Sequence, residues 1–161
     1  LHVLAAVDLA SDPTLGRPRS LPALTVRLDG LAQLVAGGSQ VAGGSQAVGG
    51  SQAVGGSQGA APVLVAVVHG ELLALEPFER GNGVVARAAA RLTAISTGLD
   101  PRGLVVPEVA HLRRERKYRA AAAGFAQGDP DAVGQWIVHC CTALADGARE
   151  ATSIAEALAS T

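Results

Sequence analysis

Between Val35 and Gln58 the chain repeats a six-residue unit four times: VAGGSQ, VAGGSQ, AVGGSQ, AVGGSQ. Two glycines and a serine per unit leave little side-chain mass to bury. Glycine also loses more backbone freedom on ordering than any other residue. Six-residue repeats can wind into a parallel β-helix, but these copies are too few and too glycine-rich, and their apolar pair swaps order midway. The tract therefore reads as a flexible Gly/Ser-rich insertion over 35–60. A core must then come from the flanking segments 1–34 and 61–161.

A chain of 161 residues is one domain on length, large enough to bury a core. Aromatic residues make up 2% and methionine is absent, so that core is built from Leu, Val and Ala, which suits close helix packing. Thirteen Lys+Arg against fourteen Asp+Glu give a net charge of −1, which argues against nucleic acid or an anionic membrane as partner. The longest apolar run, Ala60 to His69, is too short to cross a bilayer. Cys140 and Cys141 are adjacent, with no Cys/His spacing for zinc. They read as reduced thiols of a cytoplasmic protein, packing as small hydrophobes. Leu1 opens no signal-peptide pattern, and the absence of an initial Met suggests a segment with more chain upstream.

Turn residues punctuate 11–20. Leu24-Thr25-Val26-Arg27-Leu28 then alternates apolar and polar up to Asp29-Gly30, which predicts a short strand and turn. From Pro62 the pattern is helical, with Val63, Leu64, Val67, Val68, Leu72 and Leu75 near three- and four-residue spacings, and Pro77 ends it. A second helix is expected over 84–97, stopped by Gly98 and Pro101. A short extended piece, 104–107, and a helix over 111–126 ending at Gly128 follow. Asp129-Pro130-Asp131 starts the last helix, with Val133, Trp136, Ile137, Cys140 and Leu144 on one face. It extends toward Ala159, with a break expected near Gly147.

The stretch from Glu76 to Arg87, EPFERGNGVVAR, places a Gly-Asn-Gly turn directly before an Ala-rich helical run. Such a turn can gather backbone N–H groups at a helix N-terminus, where anions bind. The stretch resembles the signature loop of the Fic (Fido) family, His-Pro-Phe-x-(Asp/Glu)-Gly-Asn-Gly-Arg-x-x-Arg. Pro77, Phe78, Gly81, Asn82, Gly83 and Arg87 match it. Weaker likenesses lie outside the loop: Gly16-Arg17-Pro18-Arg19, His69 on the preceding helix, Gly98-Leu99-Asp100, Tyr118 and Gly128-Asp129. The resemblance implies a mainly α, Fic-like helical bundle with a short β-hairpin flap formed by Thr25, Val26, Arg27 and Leu28, aligning a target by strand addition. It also implies transfer of AMP from ATP, with Mg²⁺, to a protein hydroxyl. Gly81, Asn82, Gly83 and the loop arginines would hold phosphates.

The differences fall on the chemistry. Glu76 stands at the family's catalytic His, and an ordinary carboxylate is a weaker base. Arg80 stands at the acidic metal ligand, leaving no metal ligand in the loop. Val84 replaces a phosphate-contacting Arg. Arg80 has two readings: a substitute phosphate clamp, or an ion pair with Glu76 or Glu79. Arg87 likewise fits a phosphate contact or a structural salt bridge. The expectation is a Fic-like domain with a degenerate site, binding a nucleotide or a regulatory partner without efficient AMP transfer. The alternative is an active AMP transferase using Glu76 or another base. Elsewhere, the basic run 111–119 reads as a solvated helix face, Thr152 to Glu156 as a plain helix end, and His2 and His139 show no partners.

Overall fold

The computed structural model describes residues 1–8, 15–43 and 60–160. Among them lie seven helices and no strand: α1 His2–Ala6, α2 Pro22–Gly43, α3 Ala60–Leu75, α4 Asn82–Ser96, α5 Pro107–Arg113, α6 Glu115–Gln127 and α7 Pro130–Ala159. The mainly α expectation holds. Helix α3 is the central element. It packs against α4, α7, α6 and α2, and its apolar residues face several ways because neighbours surround it.

One cluster joins Ala66 of α3 to Phe125 of α6 and to Trp136 and Cys140 of α7. A second joins Val65 to Ala90 and Ala94 of α4. A third joins Val68, Leu72 and Ala86 to Leu28, Leu31 and Val35 of α2. Small residues on α4 let the backbones approach, as expected of a core poor in aromatics. Trp136 is fully buried, and its indole N–H donates to the carbonyl of Ala66 at 2.8 Å.

The expected β-hairpin flap is not present. Thr25, Val26, Arg27 and Leu28 lie inside α2. Leu24-Thr25-Val26-Arg27-Leu28 alternates over five residues only. Leu24, Leu28, Leu31 and Val35 repeat at three to four over a longer stretch, and that longer period decides the outcome by burying a helical stripe on α3. With the backbone hydrogen-bonded along α2, no strand edge is offered to a target. Helix α2 also runs through the first copy of the repeat to Gly43. A Cβ at Gly38 would sit 2.4 Å from Leu64 Cδ2, so α2 passes close to α3 there. The rest of the repeat, 44–59, lies outside the described residues.

Two further differences follow from packing. The single helix expected over 111–126 is two, α5 and α6, parted at Arg114 with φ −121° and ψ 36°. Helix α5 starts earlier, with Pro107 in its first turn. Helix α7 does not break at Gly147. A Cβ there would lie 2.6 Å from the backbone carbon of Val106 and 2.7 Å from the nitrogen of Pro107. That glycine is a point of close approach, not a hinge.

Candidate functional site

The loop between α3 and α4 is tied down by three side chains. Asn82 uses its amide on Phe78: Oδ1 accepts from Phe78 N–H at 2.9 Å, and Nδ2 donates to Phe78 C=O at 2.7 Å. His2 stacks on Phe78 at 3.8 Å between centroids. Its Nδ1 accepts from Gly16 N–H at 2.8 Å, which leaves Nε2 to carry the hydrogen and donate to Arg80 C=O at 3.0 Å. Arg19 donates to the carbonyls of Leu75 and Glu76, two of the groups left open where α3 ends. Its own N–H donates to Pro77 C=O at 2.8 Å.

Gly81 turns the chain into α4 with φ 75°, a left-handed conformation suited to glycine. A Cβ there would also lie 2.8 Å from that of Ala6, so α1 closes over the turn. The tight turn into a helix is present, but Asn82 and Gly83, expected in the turn, already belong to α4, which starts at Asn82 instead of Val84. Gly81, the N-cap residue, has no side chain to cap α4, and the first-turn amides lack an intrahelical acceptor.

Beyond the turn opens a cleft of about 480 Å³, lined by Gly83, Arg87, Glu108, His111, Tyr118 and Arg119 among others. Gly83 and Arg87 are close: a Cβ on Gly83 would lie 3.3 Å from Arg87 Nη1. Of the phosphate-binding candidates, the structure brings these two together on the cleft. Asn82 is committed to Phe78, Gly81 packs against α1, and Arg80 is exposed, its carbonyl held by His2. Glu76 is also exposed, with φ 42°. Neither Glu76 nor Arg80 lines the cleft.

Behind the cleft sits a cluster of rings from four helices. His69 Nε2 and Tyr118 Oη are 3.0 Å apart. His111 Nδ1 and His139 Nε2 are 3.1 Å apart, and Trp136 lies edge-on to His69. Burial first, then the charges of His111, Arg87 and His139, lowers the pKa of His69 to about 3. Burial, then His139, Arg87 and Arg114, lowers that of His111 to about 4. Burial, then Arg114 and Lys117, lowers His139 as well. These imidazoles are neutral at pH 7. Burial pushes the Tyr118 phenol up, while hydrogen bonding to Arg87 and its charge pull the other way. Burial raises the Cys140 thiol far above its usual range, which makes it inert.

The sequence reading left His2 and His139 without partners; both have one, across 78 and 28 residues. Glu108 was not singled out at all, and its neighbours explain why: they come from α4, α5 and α6, which no local spacing joins. Among the described residues no group of three His, Cys, Asp or Glu side chains is placed to hold a metal ion, and no helix is long and apolar enough to cross a membrane. Thr152 and Glu156 are exposed near the end of α7. No protein-family model, curated protein or solved structure matches the chain.

Proposed function

We propose that this chain is a Fic-like domain with a degenerate loop, which holds a nucleotide or other phosphate-bearing ligand and does not transfer AMP efficiently. The observation that carries the reading is the meeting of Gly83 and Arg87 on one cleft, while Glu76 and Arg80, at the base and metal positions of the resemblance, stand outside its lining. The backbone amides at the start of α4 favour negative charge. A guanidinium fork beside them suits phosphate oxygens. A proton acceptor has to lie within hydrogen-bond reach of the attacking hydroxyl, and Glu76 faces solvent. Metal-free phosphoryl transfer would also forgo the charge neutralisation that such chemistry leans on.

The test is direct. The full chain is incubated with radiolabelled ATP and Mg²⁺, alone and with cell lysate. Calorimetry on wild type and Arg87→Ala follows binding of AMP and ATP. Binding that is lost in Arg87→Ala, without label transfer, is expected. Robust transfer that disappears in Glu76→Ala would make Glu76 the base and overturn the degenerate reading.

A further inference from the structure

We propose that the cleft takes a phosphate ester carrying a hydrogen-bond donor, and that Glu108 is the residue that reads the donor. The inference rests on the phosphate-holding reading and extends it to the far wall of the same site.

Two voids share one wall. The outer cleft is open; on its inner side lies a smaller, partly open cavity of about 30 Å³, room for one water-sized group. Arg87, Glu108 and His111 line both. The other carboxylate of the inner cavity, Asp100, is fully engaged: its oxygens accept from Leu104 N–H at 3.0 Å and Val105 N–H at 2.8 Å. Glu108 differs. Its Oε2 is buried and has no hydrogen-bond partner among the described residues. Leaving a buried acceptor unpaired is costly, more so for a charged one.

The polarity of the wall defines the ligand. At the Gly83–Arg87 end the site offers N–H groups, which suit an anion. At the Glu108 end it holds a carboxylate whose buried Oε2 comes within reach of a ligand as the side chain turns toward the cleft; such an acceptor repels an anion and requires an N–H or O–H. A ligand that is anionic throughout meets Glu108 and Glu115 unfavourably, whereas a phosphate monoester with an amino or hydroxyl group satisfies both ends. The cleft volume falls within the range of small-ligand pockets. A site built around such a pairing rejects analogues that lack the donor, because its own polar group is then left unpaired. The donor has two sources in a nucleoside monophosphate, the base amine and the sugar hydroxyls.

Calorimetry on the full chain with inorganic phosphate, AMP, N6,N6-dimethyl-AMP and 2′,3′-dideoxy-AMP tests this. AMP should bind tighter than phosphate. Glu108→Leu should weaken AMP by about tenfold or more and leave phosphate no weaker. It should lower the melting temperature of the ligand-free protein little, since the buried Oε2 has no hydrogen-bond partner to lose. Glu108→Met, close in shape and without an oxygen acceptor, serves if the Leu variant fails to fold, with the same AMP-selective loss expected. A matching loss with the dimethyl analogue assigns the donor to the base; with the dideoxy analogue, to the sugar. An unchanged AMP-to-phosphate ratio in both variants, or both analogues binding like AMP, overturns the proposal. A lower melting temperature with unchanged AMP binding would assign Oε2 to a buried water and overturn it too. If neither probe binds, or binding survives Arg87→Ala, the phosphate-holding reading itself fails and takes this one with it.

Discussion

Asn82 holds Phe78 by both of that residue's backbone polar groups, accepting from the N–H at 2.9 Å and donating to the C=O at 2.7 Å. The Asn of the Gly-Asn-Gly turn is thus a clamp on the loop rather than a contact to a ligand. Asn82→Ala should cost about 1–3 kcal/mol of stability, because two half-buried backbone groups lose their partners. Urea unfolding measures it. Asn82→Asp keeps the acceptor and loses the donor, so it should fall between wild type and the alanine variant.

The histidine cluster makes stability depend on pH in one direction. His69 and His111 titrate at about 3 and about 4 when folded, against about 6.5 unfolded. Between these values the unfolded chain binds more protons, so stability rises with pH across that window. The contribution is complete above about pH 6.5 and is lost as pH falls toward 4 and then 3. Thermal melts from pH 7.5 to 4 should show it. His111→Gln should flatten the dependence, and a wild-type melting temperature that does not fall with acid would contradict the neutral cluster.

Gly147 supplies a prediction whose sign discriminates. Alanine is the better helix former by about 1 kcal/mol, so at a hinge or an open site Gly147→Ala would stabilise. Here the added carbon would meet backbone of Val106 and Pro107 at 2.6 and 2.7 Å. Net destabilisation of about 1–3 kcal/mol is expected from such overpacking.

Activity should require several changes at once. Glu76→His alone should leave AMP transfer undetectable, since Arg80 still leaves the loop without a metal ligand. Glu76→His with Arg80→Asp and Val84→Arg would bring all three positions to the residue types of the Fic signature together, and groups of this kind act as a unit. No single variant should transfer label from ATP, and the triple variant has the best chance; robust transfer by it would contradict the reading that positions 76 and 80 stand apart from the cleft. Nucleotide binding by the wild type should depend only weakly on Mg²⁺.

The helical core was legible because its signals are local. Pro62, Pro77 and Gly98 punctuate α3 and α4, and Asp129 caps α7 through its side chain, accepting from Ala132 N–H at 3.0 Å. Helix α2 was misread because Leu24 to Leu28 satisfies a period of two, and Val35, which extends the helical stripe, belongs to a repeat too glycine-rich to suggest a helix. The site was half legible. Gly83 and Arg87 sit in one motif, but Glu108, His111 and Tyr118 join them only through the packing of α5 and α6. Arg19 and His2 reach the loop across 57 and 78 residues, distances at which spacing carries no signal.

Trp136 is the chain's single tryptophan, and it lies 5.2 Å from His69 and 6.1 Å from His139 between ring centroids. Its emission therefore reports on one place alone, the rings behind the cleft. A protonated imidazole quenches indole, so the protein carries its own optical indicator. Acid that charges the cluster should dim the fluorescence before it shifts to longer wavelength, separating protonation from unfolding in a single titration.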